Sequence, residues 1–183
     1  GVTGVLIVPF VEVYTSGIND ANYIQPVFAS LIVAANAGHC LRLPYNLLIL
    51  AGGHYKQTQN NYIVASILNI VLSILLVNFF GLIGVAIGTL IAMLYQTIWM
   101  AIYDSNNLIN WPIKNFIKQF LIDILTVLII ILLGKMFSLN DITWIAWIVY
   151  AIKVSLLAIV FIFLINYIFY KSYIIKMFEK FKL

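Results

Sequence analysis

Three residues able to do chemistry fall on one side of a single apolar stretch. Between Pro26 and Ala51 the chain reads PVFASLIVAANAGHCLRLPYNLLILA. This is long enough to cross a bilayer as one helix, since about 20 residues suffice at roughly 1.5 Å each. On a helix turning about 100° per residue, His39, Arg42 and Asn46 lie within roughly 60° of each other, and Asn36 flanks them. Almost all of the remaining surface is Leu, Ile, Val and Ala. A guanidinium at such depth costs about 2.5–3.5 kcal/mol on insertion scales unless it meets a wet cavity or a partner. Pro44 has no N–H and leaves the Cys40 carbonyl without its usual donor. Backbone freed in this way is tolerated where protein or water satisfies it. Two readings follow. The stripe is a snorkelling Arg or a hydrogen-bonded patch between helices, or it is the polar, cavity-lining face of a transporter.

The rest of the chain must hold this stripe in a membrane. Of 183 residues, 64% are hydrophobic and 9% charged, with a mean hydropathy of +1.07. Soluble domains carry about 25% charged residues. The expectation is an all-α, polytopic transmembrane bundle of about five full spans and a truncated N-terminal one. The net charge of +4 sits mainly as lysines at segment ends, which suits membrane topology and not nucleic-acid binding. With Cys40 as the single cysteine, no intrachain disulfide can form. Residues 1–13 are apolar, lack a basic leader and are too short to span. They read as the tail of a helix that begins upstream.

Turn formers Gly17, Asn19, Asp20 and Asn22 separate this tail from Pro26. Gly52-Gly53 stops the central helix, and GGHYKQTQNN reads as a polar loop. A span from Tyr62 to Phe80 follows, with Asn69 and Ser73 one turn apart on one face. Gly81 makes a very short turn into a helix over Leu82–Tyr103. There Gly84, Gly88 and Ala92 recur every four residues, a pattern that lets backbones approach closely. A polar segment with Trp111, Pro112, Lys114 and Lys118 leads to a span over Phe120–Leu133, starting near Phe116 at the earliest. It carries Asp123. The last span is Ile142–Tyr170, with Trp144, Trp147, Tyr167 and Tyr170 as interfacial aromatics. The tail after it is basic and amphipathic. The expected domains are therefore 1–105, a core bundle; 106–170, two added helices; and 171–183, a surface tail.

Lysines orient the chain. One set of alternate loops holds Lys56, Lys114, Lys118, Lys171, Lys176, Lys180 and Lys182. The other holds Lys135, with Glu12, Asp20 and Asp141. The positive-inside rule places the first set and the C-terminus in the cytoplasm. Arg42 then lies roughly 13 Å from the cytoplasmic end of its helix, at about the depth of Asn69. Asp123 is a few residues shallower and is a possible partner, or an interfacial residue near Lys118. No His/Glu/Cys cluster has metal-ligand spacing, and no nucleophile elbow or phosphate-cradling glycine loop is present. Neither an enzyme nor a cofactor is expected.

The order of features resembles the C-terminal half of bacterial polysaccharide exporters. These are the lipid-linked oligosaccharide flippases of the multidrug/oligosaccharidyl-lipid/polysaccharide superfamily. The resemblance rests on PFVEVYTSGINDANYIQP and on LRLPYNLLILAGGHYKQTQNNYIVASILNIVLSILLVNFFGLIGVAIGTLIA, within roughly residues 8–105. It implies two helical bundles around an alternately opening cavity, the first bundle being absent from this sequence. It implies a substrate of undecaprenyl-pyrophosphate-linked oligosaccharide, in contact with membrane lipid. On that resemblance Arg42 would meet pyrophosphate or an acidic sugar, since guanidinium matches phosphate oxygens. His39, Asn36, Asn46 and Asn69 would bond sugar hydroxyls, and Asp123 joins the candidate set. A small-molecule antiporter of the same superfamily, or a membrane enzyme of polysaccharide assembly, are the alternatives.

Overall fold

The structure, a computed structural model, describes residues 1–18, 20–109, 112–137, 139 and 141–180, with side chains described as far as Lys171. Among these residues it is all-α. Six helices follow in order: α1 Val2–Tyr14, α2 Pro26–Ala51, α3 Tyr55–Phe80, α4 Leu82–Asn107, α5 Ile113–Gly134 and α6 Trp144–Lys180. Five of them, α2 to α6, are long and apolar enough to cross a membrane, and α1 is a shorter apolar helix. The chain is thus a multi-pass α-helical membrane protein by length and composition.

Helix starts differ from the expected ones in three places. The polar segment after Gly52 is mostly helix. Gly53 takes φ +71°, and α3 restarts at Tyr55, where Tyr62 was expected. The Thr58 hydroxyl donates to the His54 carbonyl at 3.1 Å, so a residue expected in a loop ties down the first turn of a helix. Helix α5 starts at Ile113, directly after Pro112, whose carbonyl accepts the Asn115 N–H at 2.9 Å. Proline fits just before or at a helix start, and that local signal outweighs the polar composition of the segment. Helix α6 starts at Trp144 behind the Thr143 hydroxyl, which accepts the Ala146 N–H at 3.3 Å as a cap. It breaks at Tyr170, with φ −126° and ψ 23°. Asn19, Trp111 and the side chains of the basic tail after Lys171 lie outside the described residues.

The chain divides into two compact units. The first, residues 25–120, holds α2, α3, α4 and the start of α5. The boundary drawn in the sequence after residue 105 falls inside α4, which runs on to Asn107. Within this unit α4 packs along both α2 and α3, while α2 and α3 touch little. Gly81 forms the α3–α4 turn at φ +57° and ψ −136°, a conformation that side chains rarely adopt. The hairpin then closes tightly. A Cβ on Gly84 would run into the Leu76 carbonyl, and one on Gly88 would sit 2.9 Å from the Ser73 backbone nitrogen. These glycines are packing residues, as their spacing suggests. On the α2 side, the Thr97 hydroxyl donates to the Gly38 carbonyl at 3.0 Å and to the Met93 carbonyl at 2.7 Å.

The second unit, residues 1–24 and 121–183, has an apolar interior. Val5 and Leu6 of α1 meet Tyr150 and Val154 of α6, with Ile131, Leu139 and Trp147 packed around them. Gly134 lies so close to Val5 that a Cβ there would come within 2.8 Å of it. Trp144 and Trp147, expected as interfacial aromatics, stack edge-on against Phe10, at ring separations of 5.8 and 5.3 Å. They therefore also anchor α1.

Candidate functional site

The interiors of the two units differ in kind. The buried polar side chains among the described residues are Arg42, Thr58, Asn61, Gln96, Thr97 and Asp104, and all lie on α2, α3 or α4. The stripe on α2 is the accessible edge of this polar interior. Arg42 is 8% exposed. Its Nη2 donates to His39 Nδ1 at 2.7 Å, and its Nη1 points at the Met93 sulfur of α4 at 3.9 Å. The arginine therefore turns back toward the N-terminal part of α2, one turn up its own helix. That direction leads away from the Gly52 end and follows the usual lean of helical side chains.

A guanidinium has only donors, so His39 Nδ1 must accept. This leaves Nε2 as the donor side of a ring whose residue is exposed. Asn46 is half-buried, and its Oδ1 accepts the Tyr62 hydroxyl of α3 at 2.6 Å. Arg42 and His39 form one hydrogen-bonded pair on α2, Asn46 and Tyr62 form another between α2 and α3, and Met93 of α4 flanks the guanidinium. The guanidinium is met there by an imidazole and a thioether. The only acidic residue from Gln25 to Phe120 is Asp104, and neither of its carboxylate oxygens has a hydrogen-bond partner.

Asn36 and Asn69 are hydrogen-bonded elsewhere. Asn36 is exposed, and its amide donates to its own helix at the Ile32 carbonyl, 2.9 Å away. Asn69 lies in the α3–α4 seam, where its Oδ1 accepts the Thr89 hydroxyl at 3.2 Å and the Ser73 hydroxyl at 3.3 Å. It ties two helices together with the oxygen expected to bind a sugar. Asp123 is half-buried on α5 and belongs to the other unit.

Three interior residues escaped the sequence reading. Asp104, Asn61 and Thr58 were assigned to polar loops, and all are buried, at 0%, 2% and 0% exposure. A signal existed for the first. Thr97, Ala101 and Asp104 fall at i, i+4 and i+7, continuing one packed face of α4 past the expected end of the helix. Tyr62 and Met93 meet the α2 stripe from other helices, and no local pattern marks them.

Among the described residues no three His, Cys, Asp or Glu side chains gather as a metal site. No family model, curated protein or solved structure matches this chain.

Proposed function

We propose that this chain is part of a membrane transporter that moves an anionic lipid-linked oligosaccharide across the bacterial cytoplasmic membrane, with undecaprenyl pyrophosphate as the carrier. One observation carries the reading: a nearly buried guanidinium on a membrane-length helix is met by a neutral-type acceptor, the exposed His39, and by a sulfur. An arginine held in this way keeps donors for an incoming phosphate, and its planar fork suits that geometry. The ordered resemblance to polysaccharide exporters supplies the substrate class.

The test uses the full-length protein in cells that export the polysaccharide. Arg42→Ala should reach the membrane at normal levels and lose surface polysaccharide. Arg42→Lys should restore part of it, because the charge returns without the fork. Full export from Arg42→Ala ends the reading.

One observation favours a second reading, a cation-coupled antiporter for small organic molecules. Such proteins need a carboxylate inside the membrane, and Asp104 adds a fully buried one. Ion-driven efflux of a dye from vesicles, unaffected by the loss of Arg42, would select it.

A further inference from the structure

Asp104 lies in the last turn of α4 with no exposed surface, and neither carboxylate oxygen has a partner. It lines a cavity of about 10 Å³ together with Tyr45 of α2 and Ser105, Ile109, Ile113 and Phe116. That volume admits one occupant the size of a water molecule. A carboxylate so enclosed is strongly disfavoured unless something neutralises it. The unit supplies no such charge. Its cations are Arg42, which meets His39 and Met93, and Lys56, Lys114 and Lys118, all three exposed. Tyr45 is the only other titratable side chain among the described lining residues.

The position adds a second preference. The C-terminal end of a helix carries partial negative charge from its terminal carbonyls, so it favours cations. A second orphan lies in the same interior: Asn61 of α3 is 2% exposed, and both its amide oxygen and its nitrogen lack partners. Native interiors rarely leave such groups unsatisfied, and an absent polar occupant is one of the few causes.

We propose that this cavity binds one small monovalent cation, a hydrogen ion or sodium, on the Asp104 carboxylate. Binding there neutralises the acid and lets the ends of α2, α4 and α5 stay packed. The proposal stands apart from the identity of the transported substrate.

The experiment measures thermal unfolding of the intact protein in detergent. Sodium chloride is exchanged for choline chloride at constant ionic strength, and pH is varied separately. Any ligand that binds only the folded state raises its stability. The wild type should therefore gain a few degrees with sodium if sodium is the ligand. If the hydrogen ion is the ligand, it should gain a few degrees on acidification, with no sodium effect. Asp104→Asn carries no charge to neutralise and should lose whichever response the wild type shows. A wild type indifferent to both cations overturns the proposal, as does an Asp104→Asn variant that keeps the wild-type response. If Asp104→Asn fails to fold, direct binding of radioactive sodium to the wild type, with acid as competitor, decides the case. If the wild type neither retains sodium nor releases a proton on unfolding, the proposal is overturned.

Discussion

Arg42 and His39 are one turn apart, and each gives the other a role. Removing the imidazole as His39→Leu leaves guanidinium N–H groups facing apolar surroundings, at a cost of about 1–3 kcal/mol. Removing both polar ends, as Arg42→Met with His39→Leu, should recover most of that loss, because no orphan remains. Thermal unfolding of the wild type and the two variants in detergent checks the pair. Equal stability of His39→Leu and the wild type would show that the contact carries no weight. The shared face of these two residues was legible because helical spacing alone brings them together. The direction in which the arginine points was not legible, because it depends on Met93, 51 residues away.

Helix α4 is the element on which the first unit depends, and its two sides tolerate change differently. A methyl on Gly88 would press on the Ser73 backbone, which cannot yield without moving α3. Gly88→Ala should therefore cost about 1–3 kcal/mol as overpacking, and Gly88→Leu more. Gly38 is buried equally well, yet the nearest atoms to an added Cβ are Met93 and Thr97 atoms at 3.9 Å, ordinary contact. Gly38→Ala should fold with no loss and gain a little helix propensity. Expression and thermal stability of the two alanine variants, side by side, test the contrast. Comparable losses in both would mean that α2 packs on α4 as tightly as α3 does. The small residues of α4 were readable as a packing surface. The start of α3 was not, because GGHYKQTQNN has loop composition, and only packing of Thr58 and Asn61 against neighbouring helices makes it helical.

Orientation in the membrane belongs to the whole molecule. Lys56 is exposed at the start of α3, while Asp20 and Asp141 are exposed in segments before α2 and before α6. With Lys56 in the cytoplasm, a cysteine replacing it should resist an impermeant thiol reagent in intact cells. One replacing Asp141 should react. Cys40 is exposed, so the background must be Cys40→Ala. Labelling of the Lys56→Cys variant from outside would reverse the topology. The membrane class was plain in composition, because about a third of the usual share of charge cannot cover a soluble surface. The buried carboxylate was hidden because DSNN reads as a loop, and what covers Asp104 comes from Tyr45 on one helix and Phe116 on another.

The polar interior of the first unit also dictates how the chain must be made. Helix α2 leaves the ribosome carrying Arg42, but the Met93 contact emerges 51 residues later. At about 5–20 residues per second, that is a wait of about 3–10 s. During this time α2 is unfit to be released alone into lipid, since its charge would cost about 2.5–3.5 kcal/mol there. Inserting machinery should therefore hold α2 until α4 arrives and then release α2, α3 and α4 together. Chains ending after Phe80 should be degraded quickly. Chains ending after Phe120 should persist, because they carry the whole first unit. Pulse-chase measurement of the two truncated products reads that difference as a lifetime.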